Sequence, residues 1–191
     1  MKSKKLPDNL TQQFDDLIKL LTNSKILVPS IIKSSKLIST SLKNKNKLVS
    51  FGNGGSAADS QHFVAEFVGR FQKERKSLPA IAFTTDTSIL TSIGNDYNFN
   101  KVFERQCESL VSKGDTVLAI STSGKSKNVL NGVKMAKKNG AKIICLTGNQ
   151  TTELVKISDI SIQIPSNSTP RIQEVHRLIL HLICDIVEQD F

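Results

Sequence analysis

Two histidines and a glutamate carry the side chains of this sequence that are best suited to metal binding or proton transfer. His62 and Glu66 lie four residues apart in a segment with helical spacing, so both side chains share one helix face. His181 lies in a second helical segment near the end of the chain. Two imidazoles and a carboxylate form a donor set that can bind Zn²⁺ and leave one coordination position open. The alternative is a surface His62–Glu66 pair and a core histidine at residue 181, which has apolar neighbours in the sequence.

Gln173 lies eight residues before His181, with Arg177 midway, and its side-chain oxygen would be a weaker, neutral metal ligand. At 3.6 residues per turn, eight residues rotate the second side chain by about 80° around the helix. Both side chains can still face one cleft, so the spacing leaves a shared metal site and a purely structural helix open.

A glycine-rich stretch, Gly52-Asn53-Gly54-Gly55-Ser56, follows an apolar run and precedes the helical segment that carries His62. Glycines at such a turn permit positive φ angles and allow a ligand to approach the backbone closely. A tight turn without a ligand is the alternative, and this motif alone does not decide between the two.

A second loop, Ser121-Thr122-Ser123-Gly124-Lys125-Ser126, also lies between an apolar run and a helical segment. Its backbone N–H groups and the positive end of the following helix can bind an anion. The loop is neither a Walker A motif nor a dinucleotide fingerprint. An ordinary helix cap needs one hydroxyl, whereas this loop offers four, which favours a cradle for a monophosphate. Together, the two loops indicate one pocket for a phosphorylated, hydroxyl-rich molecule.

The order of elements that must position these residues is typical of an α/β protein. Residues 9–43 have helical spacing, with breaks at Asn23-Ser24 and Pro29-Ser30 and a second piece from about Ile31 to Leu42. We predict strands at 47–51, 79–83, 115–120, 141–146 and 160–164, and further helices at 56–71, 99–111, 128–139 and 171–188. This alternation predicts a parallel five-stranded sheet covered on both faces, with ligands at the carboxyl ends of its strands. No linker interrupts the pattern, so we expect one domain over 1–191 with an N-terminal helical extension at about 9–43.

Composition excludes several classes of protein. No apolar run reaches the roughly 18 residues of a membrane span, and Met1–Asp8 is basic without an apolar core, unlike a signal peptide, so the cytosol is the expected location. The net charge of +9 comes mainly from ten lysines among the first 50 residues. Because aromatic residues make up only 5% and tryptophan is absent, we interpret these lysines as a solvated surface and expect no nucleic-acid partner. The three widely spaced cysteines indicate buried, reduced thiols.

Several motifs together resemble those of the phosphoheptose isomerases, which belong to the larger SIS (sugar isomerase) domain family. They are G-N-G-G-S at 52–56, H-x-x-x-E at 62–66, G-N-D at 94–96, S-T-S-G-x-S at 121–126, and R-I-Q-E-x-H at 171–176 with a second histidine at 181. The resemblance extends over nearly the whole chain. It implies a flavodoxin-like three-layer sandwich, a cytosolic homotetramer with shared active sites, and one zinc ion per subunit.

The resemblance also implies an activity. Family members convert sedoheptulose 7-phosphate to D-glycero-D-manno-heptose 7-phosphate through an enediol, with Glu66 as the implied general base and His181 as the general acid. This is the first step toward the ADP- or GDP-activated heptoses of bacterial surface glycans such as lipopolysaccharide and capsule. A glutamate bound tightly to zinc is a poorer base, so the two implied roles of Glu66 are in tension.

Residue roles follow from the matched motifs. The implied zinc ligands are His62, Glu66, Gln173 and His181. The implied substrate contacts are Asn53, Gly54, Gly55, Glu66, Asn95, Asp96, Ser121, Thr122, Ser123, Ser126 and Gln173. The residues alone predict a plain loop at Gly94-Asn95-Asp96, and Ser168-Thr169-Pro170 departs from members that carry an acidic residue there.

Two other functions fit the same motifs. Some SIS relatives are non-catalytic adaptors that bind the bacterial replication initiator, and others isomerise different sugar phosphates. The presence of Glu66, Ser123 and His181 favours the enzyme over the adaptor.

Overall fold

Five parallel strands form the centre of the computed structural model, which describes residues 10–191. The strands are β1 (Leu48–Gly52), β2 (Ala80–Ala82), β3 (Thr116–Ser121), β4 (Lys142–Thr147) and β5 (Ile160–Gln163). Their order in the sheet is β2-β1-β3-β4-β5, which is the flavodoxin-like order. The predicted fold class is therefore confirmed, and all five predicted strands are present within two residues of their expected bounds.

Eight α-helices surround the sheet in the described part of the chain. They are α1 (Leu10–Ser24), α2 (Val28–Lys43), α3 (Gly55–Val68), α4 (Thr87–Asp96), α5 (Val102–Leu110), α6 (Lys127–Lys138), α7 (Glu153–Ile157) and α8 (Thr169–Glu188). Short 3₁₀-helices at Lys25–Leu27 and Phe99–Lys101 precede α2 and α5.

The strands bury both of their faces, each against a different layer of helices. Leu118 and Ile120 of β3 belong to a core shared with α1, α2, α3 and α8. Val117 and Ala119 of the same strand belong to a second core with α5, α6 and α7. Successive strand side chains point to opposite faces, so a strand covered on both sides has a continuous apolar sequence.

The helical segment breaks after Ser24 as the sequence predicts, but the second predicted break, at Pro29-Ser30, is wrong. A 3₁₀-helix follows Ser24, and α2 begins at Val28 rather than near Ile31, because Pro29 is tolerated in the first turn of a helix. The predicted start at residue 9 and the segment 1–8 lie outside the described residues. On α1, the side chains of Leu10, Phe14 and Ile18 are 59%, 70% and 61% exposed, which leaves an apolar stripe on its surface.

Gly94-Asn95-Asp96 corrects one prediction, because these residues are the last turn of helix α4 (Thr87–Asp96) and not a loop. Asp86 caps this helix by accepting a 2.9 Å hydrogen bond from the backbone N–H of Ile89. Leu90 and Ile93 pack onto the second core. The cap followed by apolar residues at helical spacing was the overlooked signal. The short helix α7 was also not predicted.

The cysteines agree with the expectation of buried thiols. Cys107, Cys145 and Cys184 are free and buried, and burial raises the pKa of each thiol. None of the helices in residues 10–191 is both long enough and apolar enough to cross a bilayer.

His176 on α8 is completely buried, and neither ring nitrogen has a hydrogen-bond partner among residues 10–191. Burial lowers its pKa from 6.5 to about 4, and the nearby Thr147 carbonyl and Asp59 carboxylate only partly offset this shift. The unfolded chain therefore binds this proton more tightly than the folded chain does, and the fold loses stability as the pH falls from 6.5 toward 4.

We expect His176 to cost roughly 3 kcal/mol of unfolding free energy across that pH range. Urea unfolding at several pH values measures the slope, and His176→Leu should flatten it because leucine has no proton to bind. The same slope in the wild type and the variant would contradict this assignment.

Candidate active site

The glycine-rich turn connects β1 to α3 at the carboxyl edge of the sheet. Gly54 has φ of +55°, a conformation that favours glycine. The side-chain amide of Asn53 exchanges two 2.8 Å hydrogen bonds with that of Asn128, in the first turn of α6. Asn53 thus ties this turn to the neighbouring loop, and Asn128 is a supporting residue that the sequence analysis missed.

The serine loop connects β3 to α6 at the same edge. Gly124 donates its N–H to the carbonyl and hydroxyl oxygens of Ser121, and Lys125 donates to the Ser123 hydroxyl. Ser126 is the N-cap residue of α6, yet its side chain makes no capping hydrogen bond within residues 10–191. The hydroxyls therefore do not serve as helix caps, which keeps the positive end of α6 available to an anion.

A cavity of about 100 Å³ adjoins Thr122 and Ser123 of this loop. Its other walls are the segments that follow β4 and β5, which include Asn149 and Asn167. Because all carboxyl ends of a parallel sheet lie at one edge, the loops after β4 and β5 were predictable neighbours of the serine loop, although the sequence analysis named only the first two loops.

His62, Glu66 and His181 form a compact cluster where α3 and α8 lie side by side. One donor atom from each lies within 4.8 Å of the other two. The Nε2 atoms of His62 and His181 are 2.8 Å apart, and His62 Nε2 is 3.4 Å from Glu66 Oε1. The structure thus brings together the His62–Glu66 pair, which helical spacing predicts, and His181, which is 119 positions from His62 in the sequence.

The donor set fits a metal ion. Two imidazole nitrogens that face each other at 2.8 Å need a proton or a cation between them. All three side chains are half-buried, so the cluster is neither a core histidine nor a solvated surface pair. Two nitrogens and one carboxylate oxygen are a set that binds zinc and leaves a position free for a substrate oxygen.

Gln173 lies apart from this cluster in the same chain. Its side-chain amide packs against Gly55, where an added Cβ atom would overlap it. Eight residues along a helix correspond to about 12 Å, and Gly55 is itself seven residues before His62. Within one chain, Gln173 is therefore placed beside the glycine-rich turn and not beside His181.

A second cavity of about 500 Å³ lies along the first turns of α3 and α8, and it extends from the glycine-rich turn toward His62 and His181 as far as Asp59 and Arg177. Gly55 and Gln173 line one part of it. Asp59, nearly buried, holds the guanidinium of Arg177 through a 2.8 Å ion pair in the same wall. The cavity is large enough for a sugar and offers it amide, guanidinium and backbone groups.

Asn95 and Asp96 are exposed at the end of α4, in the helix layer on the other side of the sheet. Their side chains bond to each other, with Asn95 Nδ2 donating to Asp96 Oδ1 over 3.0 Å. A single chain does not bring them to His62, Glu66 and His181.

A protein-family model and the sequences of known proteins both match most of this chain. The family model described as "SIS domain" matches residues 13–148. A phosphoheptose isomerase from Aliarcobacter butzleri is 54% identical over 158 residues, which cover 83% of this chain and 84% of that protein.

Solved structures agree with the sequence relatives. A phosphoheptose isomerase from Neisseria gonorrhoeae aligns with a TM-score of 0.90 at 39% identity, covering 95% of this chain and 98% of that chain. Another, from Francisella tularensis, aligns with a TM-score of 0.92 at 36% identity, covering 95% and 97%. Both the sequence and the fold of this chain are therefore similar to those of the same enzymes.

Proposed function

The chain belongs to the SIS domain family and, within it, to the phosphoheptose isomerases, and we propose that His62, Glu66 and His181 form its active site. It is an isomerase that converts sedoheptulose 7-phosphate to D-glycero-D-manno-heptose 7-phosphate. The observation that supports this site is the convergence of two imidazoles and a carboxylate about one helical turn beyond Asp59 and Arg177, which line a cavity of sugar size.

The proposed reaction moves two protons. The Glu66 carboxylate removes a proton from C1 of the ketose while the His181 imidazole gives a proton to the C2 oxygen, which yields an enediol. Return of a proton to C2 and loss of the O1 proton then give the aldehyde. Each positioned acid or base contributes about 10²–10⁴-fold to such a step.

His62, Glu66 and His181 are the residues that would hold one zinc ion per subunit. When bound, the ion supplies Lewis-acid polarisation of the carbonyl and hydroxyl oxygens. Glu66 would be a weaker base while it is a ligand, so it would act as the base only with its carboxylate free of the ion.

We assign the phosphate and the sugar chain to different groups. The serine loop (Ser121, Thr122, Ser123 and Ser126) binds the phosphate at the uncapped start of α6. The backbone of Asn53, Gly54 and Gly55, together with the Gln173 amide, binds the hydroxyl groups. A substrate fixed at its phosphate end presents C1 and C2 in a defined position.

We propose a homotetramer with shared active sites. Since Gln173 lies about 12 Å along α8 from His181, it would serve as a metal ligand only from a second subunit. Asn95 and Asp96 would also reach a substrate from another subunit. The exposed apolar stripe on α1, with Phe14 70% exposed, supplies a surface that such an assembly would bury.

The product is a precursor for nucleotide-activated heptoses, and we propose that these are used in surface glycans such as lipopolysaccharide or capsule. We place the reaction in the cytoplasm, where phosphorylated sugars are made.

A substrate profile tests the function against its two rivals. The purified protein is incubated with sedoheptulose 7-phosphate and, separately, with ketohexose and ketopentose phosphates, and aldose formation is followed by NMR. We expect kcat/KM to be greatest for the heptose. A preference for a shorter sugar would identify another SIS isomerase. Binding of the replication initiator without any isomerisation would identify the adaptor.

Replacing Gly55 with alanine should displace the Gln173 amide, because the new Cβ would occupy its position. Loss of one hydrogen bond to the substrate, about 1 kcal/mol, should raise KM for sedoheptulose 7-phosphate about fivefold to tenfold with little change in Tm. Adding the same change to Gln173→Ala should have no further effect. Independent, additive effects in that double variant would contradict the contact.

A further inference from the structure

The carboxylate of Glu188, the last residue of α8, is buried at the far end of the helix from Gln173. Its side chain is only 1% exposed. Oε1 accepts a 3.0 Å hydrogen bond from the backbone N–H of Phe71, and Oε2 accepts 2.8 Å bonds from Gln72 and Lys73. Three successive backbone donors thus point at one carboxylate, and they belong to the segment that follows α3.

Arg75, a few residues further along the same segment, contacts both Glu188 and the end of α3. Its Nε lies 3.3 Å from Glu188 Oε1, and its side chain is 4% exposed. Its Nη groups donate to the carbonyls of Glu66 (2.5 Å), Phe67 (2.9 Å) and Gly69 (3.3 Å). These carbonyls belong to the end of α3, where a helix leaves its acceptors unsatisfied. Arg75 therefore caps the helix that carries the proposed base.

Residues 69–76, which Glu188 and Arg75 hold together as a clamp, contact the proposed active site directly. The Phe71 ring lies 5.5 Å from the His181 ring, centroid to centroid, at an angle of 31°. The His181 ring also contacts the His62 ring, with 5.1 Å between the two centroids. Phe71 restricts the rotation of the His181 imidazole, and Phe71 is itself fixed through its own N–H on Glu188.

We propose that Glu188 and Arg75 are positioning residues for the isomerase site: they fix residues 69–76 so that Phe71 orients His181 and the end of α3 presents Glu66. The proposal rests on the function assigned above and adds to it residues that touch neither the metal nor the sugar.

A contribution to stability alone does not account for this arrangement. Burying two charges costs as much solvation as their attraction returns, so such pairs are poor stabilisers compared with apolar residues. Burial by itself would raise the pKa of Glu188, but the three N–H donors and Arg75 outweigh it and lower the pKa. The carboxylate therefore stays charged and keeps residues 69–76 in one geometry. Such fixed support matters at a metal site, because the residues that orient the ligands set the affinity of the site for the metal.

The test compares Glu188→Gln with wild type. Glutamine has nearly the same size as glutamate. Its NH₂ group, however, would face the backbone N–H donors or Arg75, so a donor would meet a donor and at least one hydrogen bond would be lost. We expect zinc affinity of the metal-free protein, measured by competition with a chromophoric chelator, to fall about 10–100-fold. We expect kcat to fall at least tenfold, while KM for sedoheptulose 7-phosphate changes less than twofold because the phosphate site is distant.

Two further variants separate positioning from stability. Asp190→Asn removes an exposed carboxylate that pairs with Lys43 near the same helix end, and it should leave zinc affinity and kcat unchanged. Phe71→Leu keeps the backbone hydrogen bond to Glu188 but removes the aromatic ring that packs against His181. It should therefore lower zinc affinity and kcat with little change in Tm.

Unchanged zinc affinity in both Glu188→Gln and Phe71→Leu, with only a lower Tm in the former, would overturn the proposal, as would a wild type that binds no zinc. Should Glu188→Gln not fold, Phe71→Leu decides by the same criterion. A wild type that binds zinc but does not isomerise the heptose would refute the assigned function, while the zinc titrations would still test the positioning role.

Discussion

Replacing Glu66 with glutamine should lower kcat for sedoheptulose 7-phosphate by about 10²–10⁴-fold, the range associated with loss of a positioned general base. The amide has the same shape but does not accept the C1 proton. The Glu66 carboxylate oxygen is 3.4 Å from His62 Nε2, so the change occurs within the cluster and should leave the phosphate contacts and the other sugar contacts intact. KM should therefore change far less than kcat.

Rates are measured by NMR with saturating substrate, and bound zinc is measured in the same samples. Glu108→Gln is the matched control, because Glu108 is half-exposed in an ion pair with Arg105 on α5. Turnover of the Glu66 variant within a few-fold of wild type would contradict the role of Glu66 as the base. Low turnover with full zinc content would separate its role as base from its role as ligand.

Replacing His62 with alanine should remove the metal and the activity together. Its Nε2 lies 2.8 Å from His181 Nε2 and is one of the three clustered donors. Loss of a supporting residue around a metal site costs 10–100-fold in affinity, so loss of a direct ligand should cost more than about 100-fold. Elemental analysis should find one zinc ion per wild-type chain and far less than one per variant chain.

Chelation provides the corresponding experiment on the unaltered chain. A strong chelator should abolish isomerisation by the wild type, and added zinc should restore it. Full activity of a protein shown to be free of metal would contradict the metal role of His62 and the cluster with it.

Local pattern was enough to predict the strands and the two loops. Strand β3 is apolar along its length because both of its faces are covered, and the loops after β1 and β3 follow directly at the carboxyl edge. His62 and Glu66 were predictable as a pair because four residues make one helical turn. These features depend on neighbours in the sequence.

What the sequence did not predict depends on distances between elements. The 119-residue separation of His62 and His181 carries no spacing signal, and their contact arises only because α3 and α8 run side by side. For Gln173, a rotation of about 80° around the helix permits a shared cleft with His181, but the axial rise of about 12 Å separates the two side chains within one chain. The clamp of Arg75 and Glu188 joins residues 113 positions apart, and no motif marks it.

This chain isomerises a seven-carbon ketose phosphate, and we propose that the reaction takes place at the cluster of His62, Glu66 and His181. The most direct measurement is an NMR time course of the purified, zinc-loaded protein with sedoheptulose 7-phosphate, run beside Glu66→Gln. We predict growth of the signals of the aldose heptose 7-phosphate with wild type and almost none with the variant. Absence of any aldose product from the wild type, with zinc or with any other divalent metal, would contradict the isomerase function.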